Sequence, residues 1–190
     1  MNIFVLDLDP VTAARMHCDK HVPKMCVEAA QMMASALRRH GATDEQMPFR
    51  KDGKSRYKGG YKNHPCTRWA GNSRDNFEWL ANHASALCFE YLSRFGKVHA
   101  CEKPIQQMQK MYQMIPSMTD CNSHIGLTPF ALAMPDEFRP IGFSDGVLYM
   151  EACGTRAVQA YRDYYHSKTF AKWEKGTPAP SWWRGVEVTA

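Results

Sequence analysis

Two short stretches concentrate side chains able to do chemistry. The first is His17-Cys18-Asp19-Lys20-His21, followed by Lys24 and Glu28; the second is Tyr61-Lys62-Asn63-His64-Pro65-Cys66-Thr67-Arg68-Trp69. On an ideal helix with Ala29 at the centre of the apolar stripe, Glu28 falls about 100° away, at the stripe's edge. His21 stands seven residues earlier on that edge, and Lys24 lies one turn from Glu28. A carboxylate at the rim of an apolar face is only partly solvated, which favours general acid-base work. Lys20 or Lys24 would supply an amine for a Schiff base, and Asp19 is a second carboxylate that could activate water. The plainer reading is a solvated Lys-Glu pair beside a core helix. His17 and His21, four residues apart, could share a helix face as metal ligands. Pro23 disturbs that geometry and no third ligand stands out, so neither a metal nor a cofactor is expected.

In the second stretch, Asn63 and His64 precede a proline, which favours an extended backbone and lets their side chains project. With Tyr61, Lys62, Arg68 and Trp69 they offer an amide, an imidazole, two cations and two rings. That set suits reading a base edge, holding a phosphate and stacking a ring. A turn with local capping bonds is the alternative. The stretch closes a segment, Arg50 to Arg68, with seven basic residues and one acid. Its net charge of +6 exceeds the +5 of the whole 190-residue chain, so the basic character is local. Positive charge with interleaved aromatic rings suits a phosphate backbone and unstacked bases; a solvated lysine-rich loop is the bland counterpart.

The elements that must position these residues read as helices. Ile3 to Leu6 is an apolar run long enough for one short strand. Asp9-Pro10 reads as an N-cap with proline at the first helical position, starting a helix through about Cys18. Val22 to Leu37 carries a helical apolar stripe that Gly41 ends, with Pro23 near its start. Residues 42–71 show no sustained periodicity and form a long basic loop, a kind that tends to be functional. Ser73 caps a helix reaching Gly96, another starts near Pro104, and a last one carries Val158, Tyr161 and Tyr165, with Phe170 and Trp173 as possible extensions. Residues from Pro116 to Gly146 read as irregular. The expected fold is mainly α: a single compact helical domain over 1–176, with one short N-terminal strand, and an exposed C-terminal tail over 177–190.

Composition narrows the class. Apolar residues at 44% and charged residues at 23% are ordinary for a globular domain. No apolar run is long enough to span a membrane, and the N-terminus lacks a basic leader. Seven dispersed cysteines without a Cys-x-x-Cys pair read as reduced cytoplasmic thiols. The stretch Phe4-Val5-Leu6-Asp7-Leu8-Asp9 resembles the first motif of haloacid-dehalogenase-type phosphatases. That fold needs further parallel strands, and the remainder here is helical.

The order of features resembles the phage pyrimidine-dimer DNA glycosylases of the endonuclease V type. The resemblance rests on His21 with Glu28 seven residues on and a long helix bearing Phe77 and Trp79. Pro135-Asp136-Glu137-Phe138-Arg139, Tyr161 with Tyr164-Tyr165, and Trp173 complete it. It implies a compact helical fold, cleavage of the N-glycosidic bond of a damaged pyrimidine, a following strand nick, and Glu28 as the catalytic glutamate. That family attacks the sugar with a freed N-terminal threonine amine and lacks a long basic loop. Residue 2 here is Asn, so the amine is sought at Lys20 or Lys24 instead. The leading expectation is a DNA repair enzyme, most simply a glycosylase acting on a damaged or modified pyrimidine of duplex or single-stranded DNA. Its candidate catalytic residues are Glu28, His21, Lys20, Lys24, Asp19 and His17. Asn63, His64, Arg68, Trp69, Lys62 and Tyr61 would hold the nucleotide. A transferase or hydrolase of free nucleotides or modified bases, and a non-catalytic nucleic-acid-binding protein, are the alternatives.

Overall fold

The computed structural model describes residues 1–117, 126–140 and 150–185. Cys121, the Cys153 side chain, Gly146 and residues 186–190 lie outside the described residues. Among the described residues, six α-helices make up the framework: α1 Pro10–Arg15, α2 His21–Arg39, α3 Pro65–Ala70, α4 Arg74–Phe95, α5 Glu102–Gln109 and α6 Met150–His166.

Local chemistry sets most boundaries. Asp9 caps α1 by accepting the Thr12 N–H at 2.7 Å, with Pro10 opening the first turn. The helix stops at Arg15, short of Cys18. In α2, Pro23 sits in the first turn, where its missing N–H has no intrahelical partner to lose. Ser73 caps α4 by accepting the Asn76 N–H, and Gly96 closes it at φ +65°, a left-handed turn that suits glycine.

The expected N-terminal strand is absent among the described residues. Ile3, Val5 and Leu6 are fully buried, as their apolar character demands. However, no neighbouring strand is there to pair their backbone, and Phe4 at φ +38° breaks the extended run. The Asn2 side chain instead accepts the Ile3 and Phe4 N–H groups.

The core lies at the α2–α4 seam. Met25, Cys26, Ala29, Met32, Met33, Ala36 and Leu37 of α2 are buried, as are Phe77, Leu80, Ala84 and Leu87 of α4. Each large apolar side chain so buried stabilises by about 1.5–3 kcal/mol, against about 0–1 kcal/mol for an exposed ion pair. The seam therefore outweighs the surface pairs. A buried cation adds a second fastening: the Arg94 guanidinium donates to the carbonyls of Arg15 and His17 and pairs with Glu90 and Asp19.

The basic loop is folded. Phe49 and Arg56 form an antiparallel bridge around a turn in which Asp52 accepts the Lys54 and Ser55 N–H groups. Its glycines then press onto α2. Gly59 has φ +79°, and a Cβ there would stand 2.3 Å from Ser35 Oγ, so only glycine fits. Ser35 Oγ accepts the Gly60 N–H at 2.8 Å and donates to the Gly60 carbonyl at 2.9 Å. The final turns of the expected loop are the helix α3.

At the other end, Tyr161 and Tyr165 of α6 are fully buried, whereas Phe170 and Trp173 lie beyond the helix. Residues 177–185 do not hang free as an exposed tail. Trp183 stacks on His166 at 4.9 Å, and Trp182 meets Tyr165 edge-on, because two adjacent indoles carry apolar area worth burying.

Candidate functional site

Glu28 stands at the edge of the α2 stripe, its side chain 14% exposed. One carboxylate oxygen, Oε2, accepts the Asn2 backbone N–H at 2.8 Å and lies 3.6 Å from the α-ammonium of Met1. The other, Oε1, lies 3.6 Å from Lys24 Nζ, one turn earlier on α2. The terminus is placed there by Asn2, whose amide donates to the Ala133 carbonyl at 2.7 Å while its oxygen takes two backbone N–H groups. Burial of Ile3 to Leu6 anchors the chain behind it. The sequence reading set the terminus aside because residue 2 is Asn; in the structure the Met1 α-amine and the Glu28 carboxylate meet at this point.

His64 borders the same site. It caps α3 by accepting the Cys66 N–H on Nδ1 at 3.2 Å, which leaves Nε2 to carry the proton of the neutral ring. Burial lowers its pKa below the ordinary histidine value, and the nearby Met1 ammonium pushes the same way against the opposing pull of Glu28. The ring is therefore a neutral donor at physiological pH. Cys66 is no nucleophile, since burial pushes its thiol up to about 12.

The remaining members of the first stretch are elsewhere. His17 is buried with Nδ1 on the Ala13 carbonyl, and its ring lies 5.2 Å from that of His83 and 6.2 Å from that of His21. Burial holds the His17 pKa well below the ordinary value, with His83 and His21 adding to the effect. His21 Nδ1 shares a hydrogen bond with the Tyr165 hydroxyl at 2.7 Å, and burial drops its pKa to about 3. Asp19 is taken up by Arg94 and by the Glu174 N–H. Lys20 reaches over the Phe170 ring at 4.6 Å. Among these candidates, the structure brings Lys24 and the terminal amine to the two oxygens of Glu28, with His64 within electrostatic reach, and not His17, His21, Asp19 or Lys20.

The second stretch splits in the same way. Trp69 is only 3% exposed, packs against Trp79 and Phe130, and donates Nε1 to the Thr128 carbonyl. It is a core residue and cannot stack a base. Tyr61 is 71% exposed at φ +53°, and Lys62, Asn63 and Arg68 are exposed beside it. Tyr61, Lys62, Asn63 and Lys58 line a cleft of about 500 Å³ floored by Ser35 and Thr67 of α2 and α3. Thr67 Oγ1 is buried there without a hydrogen-bond partner among the described residues. Arg38 and Arg39 also line the cleft, but their guanidiniums are bonded to the carbonyls of Tyr57 and Ala42, and of Gly71 and Arg68. Among the described residues, the cations at the rim whose side chains make neither an ion pair nor a hydrogen bond are thus Lys58 and Lys62.

Sequence reasoning missed Met1, Asn2, Ser35 and Thr67. The one signal available for the first pair was the apolar run after Asn2, which had to bury itself and so fixed where the terminus would emerge. An amine beside a partly buried carboxylate, with a neutral imidazole at the margin, is an arrangement chemically able to attack an electrophilic carbon. The family comparison names the chemistry more closely: the chain belongs to the pyrimidine dimer DNA glycosylases, whose family model matches residues 1–103. It is a DNA glycosylase acting on damaged pyrimidines, and its substrate is DNA. The matched span holds Met1, Glu28 and His64 and runs across the basic loop, which lies within the family region. Pro135 to Arg139 and the tyrosines of α6 lie outside it. No curated protein and no solved structure matches the chain at a significant level. No described helix is long and apolar enough to cross a membrane.

Proposed function

We propose that the α-amine of Met1 attacks the sugar and that Glu28 is its catalytic partner. The observation carrying this reading is the convergence of the Met1 amine and the Asn2 N–H on one oxygen of Glu28, at 3.6 and 2.8 Å. The amine nitrogen forms a bond to C1′ as the C1′–N bond to the pyrimidine breaks. The base leaves with the electron pair and takes up a proton, and the amine gives its proton to the carboxylate. Opening of the sugar ring then yields an imine between C1′ and the amine. A carboxylate at this distance stabilises positive charge developing at the sugar, as in other glycosidic cleavages. His64, neutral with its proton on Nε2, is suited to donate to the departing base or the sugar oxygen. Lys24 is a second amine at the same distance from Glu28, but its side chain is 60% exposed. As classes, α-amines are weaker bases than lysine amines by about 2–3 pH units, so more of an α-amine is free to attack near neutrality.

The DNA would lie across the rim of the 500 Å³ cleft. Lys58, Lys62 and Arg68 would meet phosphates, and the exposed Tyr61 ring would stack on an unpaired base, since the target must leave the stack for chemistry. The five described cysteines are free thiols, in keeping with a reducing, cytoplasmic setting. The test is glycosidic-bond cleavage in dimer-containing DNA, scored as abasic-site formation because the detached pyrimidine stays joined to its neighbour through the dimer. Glu28→Gln is expected to abolish most cleavage while DNA binding persists. Undiminished cleavage by that variant would overturn the reading.

A further inference from the structure

Three of the five described cysteines converge at a place the glycosylase chemistry does not use. Cys26 comes from the middle of α2 and Cys88 from α4, and their sulfurs lie 3.8 Å apart, both fully enclosed in the seam. His99, in the turn between α4 and α5, brings a ring nitrogen to within 4.8 Å of both sulfurs. Cys101 stands two residues further on, buried, with its thiol 3.5 Å from the Tyr57 hydroxyl and its N–H on His99 Nδ1. Glu28 is two residues from Cys26, about 200° around α2, so the two sites face away from each other.

We propose that Cys26, Cys88 and His99 form a zinc site, with Cys101 the nearest thiol to complete it. Zinc held by thiolate sulfur at about 2.3 Å in a tetrahedron places its sulfurs about 3.8 Å apart. That is the separation between Cys26 and Cys88. Two thiols with one imidazole form the kind of soft donor set that selects zinc over hard cations. Without an ion the pair is inert, because the hydrogen bond to the Cys88 thiol and burial both raise the Cys26 pKa. Binding releases the thiol protons to solvent, and one bond of the His99 ring to backbone gives way to the ion. His99 is half-buried and marks the side from which the ion enters. The ion would tie α2, α4 and the start of α5 together, a structural role remote from the DNA-binding cleft.

The experiment titrates the reduced, metal-free full-length protein with Co²⁺ and follows the thiolate-to-cobalt charge-transfer band and the tetrahedral d–d bands. The expected result is one Co²⁺ per chain, displaced by Zn²⁺, with a melting temperature that rises on metal addition. Cys88→Ala should abolish the charge-transfer signal. His99→Ala, at a half-exposed position that leaves the core intact, should weaken binding by more than about tenfold. Absence of tetrahedral bands in the wild-type protein overturns the proposal, as does binding that survives both substitutions. So does finding Cys26 and Cys88 joined as a disulfide in protein purified under reducing conditions.

Discussion

The His17–His21–His83 cluster and the Glu28–His64 site make a useful contrast. Both gather chemistry-bearing groups at helical spacing, and α2 contributes to both. They differ in solvation. The three imidazoles lie among Phe4, Trp79 and Tyr165, where desolvation holds them neutral, with pKa values of about 3 for His21 and about 4 for His83. Glu28 sits at the rim, 14% exposed, and keeps its charge partners Met1 and Lys24. A dense polar motif thus became interior packing, while a single carboxylate seven residues on met a chain terminus. The density of reactive side chains in sequence is a poorer guide to a site than where the apolar stripe ends.

Substitution can break this contrast. The largest expected effect is at Glu28, where the Gln variant should lose about 10²–10⁴-fold in turnover, measured as abasic-site formation in dimer-containing DNA under single-turnover conditions with DNA affinity followed separately. The imidazole cluster should answer differently, through stability. The unfolded histidines titrate near 6.5, but the folded ones have depressed pKa values. The unfolded state therefore takes up more protons as pH falls below about 6.5, and stability declines until the folded pKa is reached. Each fully buried imidazole contributes up to about 1.4 kcal/mol per pH unit in that window. Urea unfolding between pH 7.5 and 5 should show this slope, and His83→Gln should flatten it while turnover per folded molecule survives. A pH-independent midpoint would mean that the cluster is not buried neutral.

Much of the fold was legible because its signals are local. The Asp9-Pro10 cap, the Ser73 cap, the Gly96 stop and the α2 stripe each rest on neighbouring residues. The strand expected at Ile3 to Leu6 failed because burial and apolarity do not distinguish a strand from a buried coil when the pairing partner lies elsewhere in the chain. In the site, Glu28, Lys24 and His64 were visible as types in a pattern. The approach of Met1, 27 residues away from Glu28, and the retirement of Trp69 into the core are long-range packing outcomes that no window of sequence contains. The Cys26–Cys88–His99 cluster was hidden for the same reason: its members come from three elements, without the close spacing that marks zinc motifs.

Smaller effects sharpen the boundary of the site. Replacing Lys58 and Lys62 together with Ala should reduce the salt slope of duplex binding by about 0.9 per lost phosphate contact, read from affinity across a salt series. Lys24→Met should shift stability by only a few tenths of a kcal/mol, as for an exposed i,i+4 pair, and should leave abasic-site formation in place.

The account turns on which amine reaches the sugar, and borohydride reduction during turnover decides it. Reduction traps the imine as a covalent protein–DNA adduct, and peptide mapping locates the modified residue. The adduct should map to the α-amine of Met1, persist in Lys24→Met and vanish in Glu28→Gln. An adduct at Lys24, or abasic-site formation with no adduct at all, would contradict the amine–carboxylate site described here.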